Sequence, residues 1–378
     1  MKKFNNPQNK LQNVVHIAGT NGKGSTASFL KKILENHNLS VNLYTSPHLI
    51  NFNERIRINN KLISENKLVK ILEDVELKNE NRPITFFELT TAAAIIAFYR
   101  HPSDVNIIET GLGGRLDATN IIENKKLTIM TKIGFDHIEF LGEKIEDISR
   151  EKAGIFRQNT PVIIAKQKYL KAQKTLLAYA KKIKTEIVDV ENISTNIILG
   201  LSGDHQYENA STAYTAAKKI FPLISLPRTK LALKQTTWPG RIDQIKHGKI
   251  VNYRKNITIL DGAHNVDSAY ALEQFLNKKS IGKWNLIIGM LKNRDIKDFV
   301  NIVKTHINKV FAISIPETES SYTPDEIIIK LKKLGLEVIP AKNLENAIKR
   351  AEKDVPLLIT GSLYLVGYTL KFNGTKIN

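Results

Sequence analysis

Cysteine is absent from the 378 residues, so the chain forms no disulfide, offers no thiolate to a metal and has no thiol nucleophile. Long apolar runs are missing too: no stretch approaches the ~18 residues that a membrane-crossing helix needs. The opening Met1-Lys2-Lys3-Phe4-Asn5-Asn6 lacks the apolar centre of an export signal. These absences set the expectation of a cytoplasmic protein with no membrane partner. Acidic residues are scarce beside basic ones, 37 against 56, which leaves a formal charge of +19. Such an excess attracts nucleic acid, anionic lipid or anionic small substrates. Here the lysines are scattered as pairs on helical stretches (Lys31-Lys32, Lys181-Lys182, Lys332-Lys333), with no arginine–aromatic stripe. The excess is read first as a lysine-rich compositional bias that decorates the whole surface, with some gain toward polyanionic small substrates, and nucleic acid is not the expected partner.

What is present is an alternation of short β-branched runs with helical patterns, the signature of parallel βαβ units. Strands are expected at Val14–Ala18, Val41–Tyr44, Val105–Ile108, Leu127–Thr131 and Pro161–Ala165, and helices to about Asn36, over Thr85–Tyr99, Glu143–Phe156 and Tyr207–Ile220. A polar stretch runs from Tyr44 through Asn60. Pro239-Gly240 punctuates the chain within Thr236–Arg241, and the alternation then restarts. Strands at Thr258–Leu260, Asn285–Ile288, Val310–Ile313 and Leu357–Ile359 are interleaved with helices at Ala269–Asn277, Ile296–Ile307, Pro324–Leu334 and Leu344–Lys353. The expected fold class is α/β with two doubly wound domains. An N-terminal P-loop ATPase domain covers 1–236, a smaller Rossmann-like domain covers 241–378, and a hinge lies at about 237–240.

Gly19-Thr20-Asn21-Gly22-Lys23-Gly24-Ser25 stands between a strand and a helix, the context a phosphate loop requires. Glycines let backbone N–H groups turn toward phosphate oxygens, the helix start adds partial positive charge, Lys23 adds a full one, and Ser25 offers an oxygen to Mg²⁺. In open α/β sheets chemistry gathers at the carboxyl ends of strands. Ser46, Glu109 and Asp136-His137 all fall there. A carboxylate beside bound phosphates suits the hard Mg²⁺ ion, although a strand-end glutamate also serves in capping or salt bridges. Gly111-x-Gly113-Gly114 lacks the third glycine of a dinucleotide fingerprint, and the first loop already claims the phosphates.

With these residues assembled, the sequence closely resembles the folylpolyglutamate synthase/dihydrofolate synthase family of the Mur ligase superfamily. The resemblance runs in order through Gly19–Ser25, Thr45-Ser46-Pro47-His48-Leu49, Glu109–Asn120, Asp136-His137, Arg150–Ile155, His205-Gln206 with Asn209, Pro239-Gly240-Arg241, Asp261–Asn265 and Gly361–Gly367. It implies that Asn21, Gly22, Lys23, Gly24 and Ser25 hold ATP phosphates, that Asn209 contacts adenine, and that Arg241 and Asp261 reach the nucleotide. It implies one or two Mg²⁺ ions on Ser25, Ser46, Glu109 and His137. Thr85-Phe86-Phe87-Glu88 and Arg115-Leu116-Asp117 would line the pterin side. Lys152 would be carbamylated, an N6-carboxylysine, turning an ammonium repelled by Mg²⁺ and Lys23 into an oxygen ligand. Lys23, Lys152 and His264 would be the catalytic residues, with domain closure excluding water.

The implied reaction joins L-glutamate to tetrahydrofolate or dihydropteroate through an acyl phosphate, consuming ATP, and the enzyme would act as a monomer. The family carries a further helical segment ahead of the stretch matching Asn6-Pro7-Gln8, whereas here the first strand is expected at Val14; weakened use of dihydropteroate follows as an expectation. Two other readings share the phosphate loop: a nucleic-acid-stimulated ATPase, and a Mur-type peptidoglycan precursor ligase, which should carry a further domain.

Overall fold

The computed structural model describes residues 1–316 and 318–377. The chain divides into two compact units, one of Met1–Gly200 with Gln206–Thr237, the other of Leu201–His205 with Trp238–Ile377. Each is built on its own sheet with helices on both faces, the doubly wound α/β arrangement.

In the first unit the strands are β1 (Val14–Ala18), β2 (Val41–Tyr44), β3 (Ile56–Ile58), β4 (Lys61–Leu62), β5 (Val105–Glu109), β6 (Leu127–Met130), β7 (Val162–Ile164) and β8 (Ile187–Val188). They lie in the order β4-β3-β2-β5-β1-β6-β7-β8. From β2 to β8 the pairing is parallel, while β3 and β4 add an antiparallel edge. Both faces are covered, so the inner strands are apolar almost throughout. Every residue of β1, β2, β5 and β6 is buried. The chain builds leftward from β1 and then rightward, so the order reverses beside β1. The loops leaving β1, β5 and β6 therefore open at one crevice, where such sheets bind ligands.

Of the antiparallel edge, β3 falls inside the stretch read as merely polar and β4 follows directly after it. Asn59 and Asn60 both take positive φ (47° and 72°), which forms a two-residue turn pairing Ile58 with Lys61. Asparagine tolerates that conformation at little cost. A helix over Glu65–Asn79 follows, started by Ser64, whose hydroxyl accepts from Lys67 N, and buried along Leu68, Ile71 and Val75. The helix expected over Glu143–Phe156 is shorter, Ile145–Ala153, and a separate short helix, Ile138–Leu141, precedes it, set apart by Gly142 with φ 95°.

The second unit has strands β9 (Asp243–Gln244), β10 (Thr258–Leu260), β11 (Trp284–Ile288), β12 (Ile307–Ala312), β13 (Glu337–Pro340) and β14 (Leu357–Thr360) in the order β13-β12-β11-β14-β10-β9. All pair in parallel except β9. The helix expected to reach Ile307 stops at Val303, since Ile307 is taken into register opposite Trp284 at the start of β12. Its core gathers Trp284, Phe299, Leu286, Val310 and Leu358, all fully buried.

Candidate active site

β1 ends at Ala18 and the helix Lys23–Asn36 begins four residues beyond Gly19. Between them the backbone takes φ 152° at Gly19 and 90° at Gly22, values that side-chain-bearing residues rarely adopt. Space is closed as well: a Cβ on Gly19 would lie 1.9 Å from Thr131 Oγ1, and one on Gly22 2.4 Å from Asn209 Oδ1. Thr20 N and Asn21 N both donate to Lys132 O (2.8 and 3.1 Å), and Thr20 Oγ1 pairs with the N–H and carbonyl of Gly134, each at 3.1 Å. The loop after β1 is thus fixed to the loop after β6. Gly22→Ala is expected to keep the fold but weaken ADP binding about tenfold or more, since a left-handed alanine costs roughly 1–2 kcal/mol before any clash with Asn209. Calorimetric titration with ADP checks this, and unchanged affinity would remove the Gly22–Asn209 contact from nucleotide binding.

Two lysines converge on one carbonyl. Lys23 Nζ donates to Gly19 O at 3.2 Å and Thr20 O at 3.4 Å; Lys152 Nζ donates to the same Gly19 O at 3.0 Å. Lys23 also stands 3.9 Å from Glu109 Oε1, and Glu109 Oε2 accepts from Ser46 N at 3.4 Å. Phosphate loop, Lys152, Glu109 and Ser46 are therefore one cluster, although they come from four separate segments. Lys152 is buried, and burial with the neighbouring Lys23 charge lowers its pKa to about 7, against a small opposing pull from Asp117. The shift favours the uncharged amine.

Among the described residues no three histidines or carboxylates converge as a metal cage. The donor set at the crevice is of another kind. Ser25 is buried in the first turn of the phosphate-loop helix, and Ser46 and the buried Glu109 sit at strand ends. Serine and carboxylate oxygens suit a hard divalent ion that retains phosphate and water ligands, so the residues present fit Mg²⁺. His137 starts the short helix Ile138–Leu141 in a left-handed conformation (φ 52°), 3.7 Å from Asp136 Oδ1 and 3.9 Å from Glu139 Oε1. It follows the loop that Thr20 fixes.

The segment Gly111–Asn120 is shaped by Asp117. Its Oδ2 accepts from Gly111 N and Leu112 N, both at 2.9 Å, and its Oδ1 accepts from Thr119 N at 2.9 Å and from the Thr119 hydroxyl. Because Thr119 gives its only proton to Asp117, His16 Nε2 must donate to Thr119 Oγ1 at 2.7 Å. Complete burial, with the charges of Lys125 and Arg157 beside it, pushes the His16 pKa well down, so the ring is neutral. Arg115 pairs with Glu151 at 3.0 Å, and Leu116 is exposed. Thr85 and Glu88 form a reciprocal capping box at the start of Phe86–Arg100, Glu88 Oε2 accepting from Thr85 N at 2.8 Å. That leaves the rings of Phe86 and Phe87 as the apolar part of this corner. Phe87 packs on Gly111, where a Cβ would be 2.3 Å from the ring. Phe86 meets Phe52 edge-on at 5.5 Å, with the Arg55 guanidinium 5.5 Å from both rings.

In the second unit, the loop after β10 is organised by Asp261. Its Oδ2 accepts from Ile242 N and its Oδ1 from Ala263 N, both at 2.8 Å. Burial raises its pKa, and the Arg241 charge works against that rise. His264 Nδ1 donates to Gly262 O at 2.7 Å.

Sequence reasoning passed over His16, Thr20, Thr119 and Gln167. Gln167 Oε1 accepts from Ile133 N at 2.8 Å, and its Nε2 donates to Thr131 O at 3.2 Å and Ala165 O at 2.6 Å, bracing the strand ends around the His137 loop. Only the Asp117-x-Thr119 spacing carried a local signal, since aspartate readily accepts from the N–H two residues on.

Two protein-family descriptions match the chain: the Mur ligase middle domain over residues 17–217 and the dihydrofolate synthetase C-terminal domain over 244–372. A dihydrofolate synthase/folylpolyglutamate synthase of Buchnera aphidicola is 32% identical over 380 residues, covering 96% of this chain and 86% of that one. Among solved structures, Mycobacterium tuberculosis folylpolyglutamate synthase with ADP and AMPPCP superposes with a TM-score of 0.89 at 26% identity, covering 100% of this chain and 94% of the other. A Yersinia pestis bifunctional folylpolyglutamate synthase/dihydrofolate synthase with AMPPNP and Mn gives 0.86 at 25% identity, covering 98% and 90%. Phosphate loop, Glu109 cluster and doubly wound sheets thus coincide with sequence kinship along nearly the whole length, and the chain belongs to the dihydrofolate synthase/folylpolyglutamate synthase family of the Mur ligases.

Proposed function

We propose that this chain is an ATP-dependent ligase that adds L-glutamate to tetrahydrofolate and to dihydropteroate, acting in the cytoplasm as a monomer without nucleic acid. The observation that carries it is the convergence of Lys23, Lys152 and Glu109 on the Gly19–Ser25 loop. The first unit is the ATP-binding domain and the second the C-terminal domain, the two joined at about 237–240. Asn21 to Ser25 cradle the phosphates, and Asn209 meets the adenine side. Arg241 and Asp261 bind nucleotide. Phe86, Phe87 and the loop of Arg115, Leu116 and Asp117 receive the pterin, with Thr85 and Glu88 fixing the helix start that presents the two rings.

A substrate carboxylate oxygen attacks the γ-phosphorus, the bond to the β–γ bridging oxygen breaks, and ADP leaves. The glutamate nitrogen then adds to the acyl carbon, phosphate departs with the carbon–oxygen bond pair, and an amide remains. His264 belongs to the catalytic set of this reading, and the proton released from that nitrogen goes to solvent. Lys23 holds charge on the transferring phosphoryl group, so electrostatics and positioning dominate. Ser25, Ser46, Glu109 and His137 would hold one or two Mg²⁺ ions, which neutralise phosphate charge when bound. As a carbamate Lys152 would add a further oxygen ligand: its neutral nitrogen attacks CO₂, an N–C bond forms as one C–O π pair moves onto oxygen, and one proton goes to solvent.

The deciding experiment measures phosphate release from ATP with glutamate, comparing 7,8-dihydropteroate with tetrahydrofolate. Release that needs both a pterin substrate and glutamate is expected. Release stimulated by nucleic acid alone would overturn the proposal.

A further inference from the structure

The helix that carries Lys152 ends against the Gly111–Asn120 loop in a joint centred on Asn120. Asn120 Oδ1 accepts from Lys125 Nζ at 2.7 Å and from Arg157 Nη2 at 3.0 Å, while its Nδ2 donates to Arg115 O at 3.1 Å and Gly154 O at 3.0 Å. A guanidinium only donates and a carbonyl only accepts, so the amide has a single possible orientation and all its capacity is used. The carbonyls just past the helix end are each held by side chains. Arg157 Nη1 donates to Gly154 O and Phe156 O, both at 3.0 Å, and Lys125 Nζ to Ile155 O at 2.8 Å. Such end carbonyls otherwise lack helical partners.

Across the joint the two backbones touch. Arg115 N donates to Glu151 O at 2.7 Å, a Cβ on Gly114 would lie 2.5 Å from Lys152 O, and one on Gly154 would lie 2.4 Å from Arg115 Cβ. Any slip of this joint displaces Lys152 itself, whose nitrogen reaches Gly19 O on the phosphate loop.

We propose that Asn120 is a positioning residue that holds Lys152 against the phosphate loop, fixing where its nitrogen takes up carbon dioxide. This rests on the reading of Lys152 as a carbamate. Asn120→Asp keeps the size of the side chain but turns both donors into lone pairs facing two carbonyls. Arg157→Gln weakens the same joint at a partly exposed position, so it tests the idea even where N120D folds poorly.

Thermal melting and ADP binding first establish that each variant is folded. Proteins equilibrated with ¹³C-bicarbonate are then read by ¹³C NMR for the carbamate carbon. The bicarbonate needed for half-occupancy is expected to rise about tenfold in N120D and less in R157Q, because small displacements of a reacting group cost rate and affinity steeply. Turnover at low bicarbonate should fall in step and recover when bicarbonate is raised, with KM for ATP unchanged. A carbamate signal of equal bicarbonate dependence in wild type and folded variants would overturn the role of Asn120 alone. No carbamate signal in the wild type would instead sink the reading of Lys152 beneath it.

Discussion

Replacing Lys23 by alanine is expected to lower kcat at least a hundredfold while leaving the melting temperature nearly unchanged. The cation sits in the first turn of the phosphate-loop helix, bonded to Gly19 O and Thr20 O and 3.9 Å from Glu109. None of these contacts holds the sheet together, so the fold loses little. The transferring phosphoryl group loses a fixed positive charge, and one such electrostatic donor is worth about 3–4 kcal/mol in the transition state. Lys23→Arg should recover only a small part, because the wider guanidinium cannot occupy the space above Gly19 and Thr20 as a point charge does. Steady-state phosphate release under saturating ATP decides the matter. An alanine variant with more than half the wild-type kcat would remove the lysine from the chemistry.

How much of this was legible beforehand divides along a physical line. The phosphate loop, the buried strands and the strand-end candidates were readable because each is written locally, in glycine spacing, β-branched runs and the residue just past them. The β3–β4 hairpin was also written locally, in Asn59-Asn60 after the alternating Ile56-Arg57-Ile58, but a rule that treats asparagine as loop material hides it. The joint around Asn120 was different in kind. Its partners are Arg115, Lys125, Gly154 and Arg157, and only the fold brings the last two to the first. His16 illustrates the same limit: in sequence it interrupts an apolar strand, and its partner Thr119 lies 103 residues away. That Lys23 and Lys152 share Gly19 O was likewise beyond local reading, since the acceptor is a backbone atom with no residue preference.

The second large effect concerns Lys152, and its pH dependence separates a carbamate from a plain lysine. Burial first, and the Lys23 charge second, lower the Lys152 pKa to about 7. The neutral amine, which alone attacks CO₂, therefore predominates above pH 7 and is depleted below it. At a fixed concentration of dissolved CO₂, protein stripped of CO₂ should regain activity quickly at pH 8, and at a rate falling about tenfold per unit below about pH 6. A carbamate, once formed, reverses the sign of the side chain beside Lys23, so the two groups attract where two ammoniums would repel. With Lys152 as the proposed carbamate, Lys152→Ala removes an anion and leaves a gap next to Gly19. Its kcat is expected to fall at least a hundredfold, with partial recovery in formate or acetate, whose carboxylates fit the vacated space. Lys152→Arg should show neither activity nor recovery, because it keeps the charge and fills the gap. Full activity of Lys152→Ala in CO₂-depleted buffer would contradict the carbamate, and reactivation independent of pH would contradict the depressed amine.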